Sequence, residues 1–172
     1  MVNSVLRAIR NRRTIKTFRS DADVGEENIQ EILEAGRWAP SMVNSQPWRF
    51  VVIEDEEVRE QVSEIDFPIF LKKGLREAPV VIVVCADTEE DPKHYVEDCA
   101  VATQNIALAA QSLSLGSAWI GVHGERAEKD LSNLLDLPER FRPVSILCVG
   151  VPKDIPESER KDISELVYRR VD

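Results

Sequence analysis

The sequence lacks the short motifs that several large enzyme classes require. Its seven glycines are scattered and form neither GxGxxG nor GxxxxGK, which excludes the standard dinucleotide and phosphate-binding loops. It has no serine nucleophile elbow and no HExxH helix, so the corresponding hydrolase and metalloprotease sites are absent. The two histidines, His94 and His123, form no cluster with metal-ligand spacing. We interpret both as structural or exposed, and we expect no metal site.

Cysteine and long apolar runs are also scarce. Cys85, Cys99 and Cys148 are odd in number and show no CxxC spacing, and two of them lie in strand-like apolar runs. We interpret those two as small core residues, and the set fits a reducing, cytoplasmic compartment. No apolar run reaches membrane-spanning length, and no apolar segment follows the N-terminal cations. We therefore expect neither a membrane partner nor a signal peptide.

Acidic residues are missing from the first twenty positions of an otherwise acidic protein. The 172-residue chain has a formal net charge of −9, yet this segment holds six cations. The rest of the chain therefore carries 16 basic against 31 acidic side chains. A bound anion explains such a cluster, because guanidinium groups match phosphate oxygens in pairs. A solvated helix end explains it equally well, since cations are favoured at a helix C-terminus.

Hydrophobic content of 43% and charged content of 31% indicate one globular domain over 1–172, with 153–172 as a C-terminal extension. Apolar periodicity predicts helices over 3–13, 25–38, 55–66, 94–115 and 125–135, and buried strands over 79–86 and 143–152. In the long helix we expect Gly116 to form the C-terminal end. This order favours a sheet covered by helices on both faces but does not distinguish a doubly wound sheet from a more antiparallel one.

The segment 39–48 is a loop bounded by Pro40 and Pro47 and rich in short polar groups. Such a loop can present backbone donors, an amide and hydroxyl groups to a planar polar ligand. The alternative is an ordinary helix-to-strand connection in which Trp48 fills the core.

Together these stretches resemble the FMN-dependent nitroreductase family. The resemblance depends on Arg12-Arg13-Thr14-Ile15-Lys16, then Ala39-Pro40-Ser41, then Asn44-Ser45-Gln46-Pro47-Trp48, and it runs from about residue 6 to about residue 161. It implies an α+β fold with a mixed, largely antiparallel central sheet between two helical layers. It also implies an intertwined homodimer with FMN sites at the interface. In the family, NAD(P)H reduces FMN, which then reduces a small-molecule acceptor such as a nitroaromatic or a quinone.

The resemblance also assigns site residues in this chain. It implies phosphate contacts from Arg12, Arg13, Thr14, Arg160 and Lys161, and a cation near the flavin pyrimidine from Lys16. The residues bordering the ring, from the same chain or its partner, would be Pro40, Ser41, Met42 and Asn44. The backbone beside flavin N5 would be that of Ile120, Gly121 and Val122. No side chain is assigned as an obligatory catalytic acid, because FMN carries the chemistry. An asparagine that often contacts the pyrimidine is missing from 66–76, where Leu71, Lys72 and Lys73 stand instead.

Three other functions fit parts of the sequence. One is a flavoprotein of the same fold with other chemistry, such as reductive dehalogenation or flavin fragmentation. Another is a non-catalytic FMN-binding module. The third is an RNA-binding protein that uses the basic N-terminal segment, but Phe18 is the only aromatic residue available there. The acidic balance also argues against a nucleic-acid partner.

Overall fold

The computed structural model describes residues 4–171 and, among them, every side chain except that of Phe70. In chain order the helices and strands are α1 (Ser4–Asn11), α2 (Glu26–Arg37), β1 (Trp48–Ile53), α3 (Glu56–Glu64), α4 (Ile69–Glu77), β2 (Val80–Asp87), α5 (Tyr95–Ser112), β3 (Gly116–Gly121), α6 (Arg126–Leu134), β4 (Phe141–Gly150) and α7 (Ile163–Leu166), with a 3-10 turn at Met42–Asn44. Within the described residues, no helix is both long and apolar enough to cross a membrane.

The four strands form one sheet in the order β1-β2-β4-β3, and all three neighbouring pairs are antiparallel. A parallel bridge between Thr14 and Ser117 adds the N-terminal segment to the outer edge of β3. The α+β class and the largely antiparallel sheet are therefore confirmed. The alternation of helices and strands would equally suit a doubly wound sheet, so the resemblance was the better guide to topology.

Two hydrophobic cores lie on opposite faces of the sheet. Val80, Ile82 and Val84 of β2 face α2 and α5, whereas Val81 and Val83 face the layer of α3, α4 and α6. This alternation follows from the two-residue repeat of a strand. Every residue of β2 is buried because both faces are covered, which explains its continuous apolar sequence. Burial of each such side chain contributes about 1.5–3 kcal/mol.

The long helix α5 ends earlier than we expected, and Gly116 is not its terminal residue. Ser114 takes a left-handed conformation with φ of 62°. The Leu115 N–H donates to the Ala110 carbonyl at 2.9 Å, and the Ser114 N–H donates to Gln111 at 3.2 Å. This is a Schellman ending with serine in the usual glycine position. The prediction for Gly116 was wrong because long-range packing, not helix termination, requires a glycine there.

Gly116 begins β3 at a point where the N-terminal segment crosses very closely. A Cβ atom built on Gly116 would lie 2.5 Å from Cγ1 of Ile15, a buried side chain. No side chain larger than hydrogen fits without movement of the two segments. The glycine therefore permits the segment that carries the cations to lie along β3.

The helix α4 was missed in the sequence because its apolar periodicity is weak. It starts after Pro68, which provides no side-chain cap, and it is anchored mainly by fully buried Leu75. The short helix α7 was missed as well, although Asp162 and Glu165 form a capping box there. Helix α7 depends on its local capping box and α4 on the burial of Leu75, and a search for long periodic segments detects neither feature.

We expect Gly116→Ala to destabilise the protein by about 1–3 kcal/mol, the usual range for overpacking a tight contact. Gly121→Ala at the other end of β3 is the matched control, because its Cβ would meet no atom within 4 Å. Urea unfolding of both variants without added ligand measures the difference. Equal stability of the two variants would contradict the close approach of Ile15 to Gly116.

Candidate functional site

The segment 14–18 is held at the edge of the sheet by a backbone hydrogen bond and by two buried side chains. The Ile15 N–H donates to the Ser117 carbonyl at 2.9 Å, and Ile15 and Phe18 are buried. Thr14 and Lys16 are exposed on the other side. The Phe18 N–H donates to Glu77 at 3.1 Å. The apolar side chains thus fix the segment, and the polar ones are presented outwards.

The start of the C-terminal extension runs beside this segment. The Arg19 N–H donates to Val151 at 3.0 Å, and the Lys153 N–H donates to Thr17 at 3.1 Å. Thr17 Oγ1 also donates to Asp154 at 3.4 Å. These hydrogen bonds bring the residues after 153 next to the N-terminal cations, although the two segments are far apart in sequence.

Between the two segments lies a cavity of about 370 Å³, which we call the cationic cavity. It is lined by Arg12, Arg13, Thr14, Lys16, Thr17, Asp154, Pro156, Ser158 and Arg160. The structure therefore brings together five of the predicted site residues. Lys161 is not among the lining residues. Crowded cations of this kind favour a bound anion, because each cation is destabilised by its neighbours until an anion offsets them.

The electrostatics of Arg12 show this crowding directly. Burial lowers the pKa of Arg12, and the charges of Arg160 and Arg13 lower it further. Arg13 has a second contact, since its Nη1 donates to the Arg10 carbonyl at 2.7 Å near the end of α1. Arg13 therefore satisfies a helix end, as the second interpretation held, and Arg12 and Arg160 face a common cavity that suits an anion.

A second cavity, of about 600 Å³, continues from the first and shares Thr14 and Lys16 with it. We call it the edge cavity, because Trp119, Ile120 and Gly121 of the edge strand β3 line it. Its remaining lining residues come from the segment before α4, from α4 itself, and from the start of α6 with the residue before it: Asp66, Phe67, Pro68, Leu71, Glu125, Arg126 and Ala127. One wall is thus apolar and another charged. Such a cavity suits a flat, partly apolar ligand.

The backbone of β3 determines which N–H group faces the edge cavity. The Val122 N–H donates to the Val144 carbonyl at 3.0 Å. Hydrogen-bonded and non-hydrogen-bonded pairs alternate in an antiparallel ladder, so the neighbouring pair Gly121–Ser145 leaves the Gly121 N–H pointing away from β4. Ser117 has the same parity, and its carbonyl does accept from outside the sheet. Of the three residues whose backbone we expected beside flavin N5, Gly121 fits as a donor, whereas Val122 is fully buried and its N–H is bonded to Val144.

The predicted ring-bordering residues lie elsewhere in the chain. Neither cavity is lined by Pro40, Ser41, Met42 or Asn44. Their loop lies against α5, where the Met42 N–H donates to the carboxylate of Asp98 at 3.1 Å. Trp48 is buried, so the same loop also fills the core, as the alternative interpretation held.

Sequence analysis did not identify the lining residues that lie in and next to α4 and α6. Phe67-Pro68 marks a chain turn, but nothing in the sequence alone places it opposite Trp119. The two lysines in the position of the missing asparagine point to other partners: Lys72 Nζ donates to the Glu64 carbonyl at 3.4 Å, and Lys73 pairs with Glu77 at 3.6 Å. Leu71 alone of the three lines the edge cavity.

The loop after β3 is held by the carboxylate of Glu128. This carboxylate accepts from the Gly124 N–H at 2.7 Å and from Arg142 Nε at 2.6 Å, with His123 Nδ1 at 3.4 Å. Burial alone would raise the pKa of Glu128, but the hydrogen bonds from Arg142 and Gly124 outweigh it and lower the pKa. Glu128 therefore stabilises the loop that connects Gly121 to α6, and His123 has a structural position.

Residues 4–171 contain no group of three or more His, Cys, Asp or Glu side chains that could hold a metal ion. His94 likewise has a local contact, with its Nδ1 at 3.2 Å from Asp91. All three cysteines are free and buried, and burial raises the pKa of each thiol to about 12. They are core residues, as we expected for two of them.

Comparison with known proteins gives a family for this arrangement. The sequence matches the model of the nitroreductase family over residues 9–74 and 68–151. The chain belongs to the nitroreductase family. A relative from Methanothermobacter thermautotrophicus, provisionally named NADH dehydrogenase/NAD(P)H nitroreductase, is 39% identical over 156 residues, which cover 88% of this chain and 79% of the relative.

Two further comparisons name a flavin. The FMN reductase [NAD(P)H] of Bacillus subtilis is 29% identical over 174 residues, covering 89% of this chain and 68% of the enzyme. A provisionally named nitroreductase from Desulfovibrio desulfuricans has been solved in complex with FMN. It is 32% identical, matches with a TM-score of 0.87, and the match covers 99% of both chains. Nitroreductase membership therefore agrees with both the fold and the sequence motifs.

We expect Glu128→Gln to lower the free energy of unfolding by about 1–3 kcal/mol at pH 7, the range for hydrogen bonds to a charged group. Because the folded state lowers the pKa of Glu128, its contribution is present above the ordinary pKa of 4.5 and is lost as pH falls through the lowered value. Urea unfolding at pH 7 and in the acid range measures both effects. Exposed Glu125→Gln is the control, and a difference that does not shrink in acid would contradict this account.

Proposed function

We propose that this nitroreductase-family protein is an FMN-dependent oxidoreductase that takes electrons from NAD(P)H. It passes them to a nitroaromatic, a quinone or a similar small acceptor. The observation that carries the proposal is the continuity of the cationic cavity with the edge cavity through Thr14 and Lys16. This shape corresponds to a ligand with an anionic end and a flat end.

The residues of the chain fit FMN at both ends. At one end, Arg12, Arg13, Thr14 and Arg160 surround a space in which the pKa of Arg12 is lowered by like charge. A phosphate of charge about −1.5 to −2 would offset that crowding. At the other end, the position of a Cβ on Gly121 is open, with no atom within 4 Å. A flat ring can therefore approach the backbone there.

FMN supplies the hydride chemistry that no side chain of the cavity offers. The chain's own groups bind and orient it and exclude water. Lys16 places an ammonium group at the junction of the two cavities, where it favours negative charge on the adjoining part of the ligand. The Gly121 N–H donates from the edge strand, and Phe67 and Leu71 form an apolar wall. NAD(P)H and the electron acceptor would then occupy the same open face of the bound ring one after the other, which gives ping-pong kinetics.

The test is the state of the purified protein with FMN. We expect a flavin absorption spectrum, FMN identified by mass after release, and bleaching under anaerobic NADH or NADPH, followed by recovery when an acceptor is added. Protein that binds no FMN would overturn the proposal. Bound FMN that neither nicotinamide donor bleaches would indicate a binding module without this activity.

Arg12→Ala tests the phosphate end. We expect it to weaken FMN binding by about 1.5–3 kcal/mol, the range for a charge-assisted hydrogen bond, with a larger loss at low salt. Riboflavin, which has no phosphate, should bind equally to both proteins. Arg7→Ala removes the same charge from an exposed position outside the cavity and is the matched control. An equal loss for riboflavin and FMN would show that Arg12 does not contact the phosphate.

The proposed assembly is a homodimer in which each FMN site includes the partner's 40–46 loop. Two observations support it: the loop is remote from the cavities of its own chain, and large apolar side chains remain exposed on α1 and in the extension. They are Val5, Leu6, Ile9, Ile155, Ile163, Leu166, Val167, Tyr168 and Val171. Within one chain this surface would be costly to leave in water, so a second copy is its natural cover. We place the dimer in the cytoplasm, where the three thiols stay reduced.

Light scattering should give twice the 19.5 kDa mass of one chain. Combined Leu6→Glu and Ile9→Glu should produce a folded monomer that loses FMN, because both side chains are exposed in the isolated chain. Circular dichroism checks that the variant stays folded. A wild-type monomer that keeps FMN at micromolar concentration would exclude the shared site.

A further inference from the structure

The turn at residues 41–46, which we call the Val43 turn, holds an unusual backbone. Val43, Asn44 and Gln46 have φ of 46°, 63° and 50°. The left-handed region is unfavourable for any side chain and most unfavourable for a β-branched one. Val43 is also 86% exposed, so no packing within its own chain offsets the strain.

The conformation is imposed by a buried carboxylate. Asp98, in the first turn of α5, is only 7% exposed. Its two oxygens accept from the Met42 N–H at 3.3 and 3.1 Å, and one of them also accepts from Ser45 Oγ at 3.4 Å. Within the turn, the Gln46 N–H donates to Ser41 Oγ at 3.0 Å. The turn therefore closes around a group that cannot move, because α5 crosses the core.

Strain of this kind persists where a group must be held in one position, as at ligand clamps and active sites. The strained turn presents two apolar side chains, Met42 and Val43, and both are exposed. A flexible polar loop would connect α2 to β1 without strain. The hydrogen bonds to Asp98 offset the strain within the chain, and they hold both apolar side chains on the surface, where a flat apolar group from outside the chain can pack on them.

We propose that Asp98 is a positioning residue which holds the Val43 turn as a preformed clamp, so that Val43 packs on the flat ring bound in the partner's edge cavity. The inference rests on the proposed FMN function and on the proposed dimer. A ring has a planar apolar face, which two adjacent apolar side chains on a rigid turn can cover. Asp98 acts only through the turn, by fixing the Met42 N–H and the Ser45 hydroxyl.

Val43→Asn separates strain from function. Asparagine tolerates the left-handed region at similar size, so relief of strain should raise the melting temperature of the FMN-free protein by about 2–4 °C. The same change should weaken FMN binding by about tenfold, the effect of losing one buried aliphatic contact. A structural role alone would move stability and affinity in the same direction.

Asp98→Asn tests the positioning step. It should weaken FMN binding in the wild-type background but add less than about twofold when Val43 is already asparagine, because residues in one chain of contacts are not additive. Asp91→Asn is the matched control. Asp91 is equally buried before α5 and accepts the Lys93 and His94 N–H groups, but the turn does not contact it. It should lower stability and leave FMN affinity within about twofold.

The outcomes are distinct from those that test the function. If wild-type protein binds FMN and is bleached by NAD(P)H, but Val43→Asn binds FMN as tightly, the clamp is excluded and the oxidoreductase stands. Additive losses for Asp98→Asn and Val43→Asn, or an equal loss for Asp91→Asn, would also exclude it. Wild-type protein that binds no FMN would instead overturn the proposed function.

Discussion

The hydrogen bond from the Ile15 N–H to the Ser117 carbonyl organises the site, because it lays the N-terminal segment along the edge strand. Ile15 and Phe18 bury their side chains and so give the segment a fixed register. The polar residues between them then face outwards at defined positions. The cations of the segment are placed along the backbone of β3 by that register, whereas the regions of α4 and α6 supply the remaining lining of the edge cavity.

In a protein of net charge −9, four of the 22 lysine and arginine side chains line one cavity at this edge of the sheet. Like-charge crowding lowers the pKa of Arg12, while Arg13 also satisfies a carbonyl near the end of α1. The basic segment therefore satisfies a helix end and lines a cavity of crowded cations with adjacent residues. The acidic remainder of the surface leaves this edge as a local positive field, which attracts anionic ligands over a distance of about a Debye length, roughly 8–10 Å.

Much of the fold could be predicted because its signals are local. The apolar run of β2 indicated a strand covered on both faces, and the family resemblance carried by Arg12, Thr14 and Lys16 indicated where to expect the site. The rest depends on contacts between distant segments. The need for glycine at 116 comes from Ile15, and the fixed position of the Met42 N–H comes from Asp98. Neither periodicity nor a sequence motif identifies such pairs of distant residues. The hydrogen-bonding pattern between β3 and β4 is needed to decide that Gly121, and not Val122, has the outward N–H group.

The register of β3 against β4 also determines what a misfolded chain would lose. A slip of one residue against β4 would exchange the inward and outward faces of the strand and would turn the Gly121 N–H towards β4. The core and the ligand donor therefore depend on the same register. Cofactor retention thus depends on strand pairing in this protein, because a chain with a misaligned edge strand would not present the Gly121 N–H to its flavin.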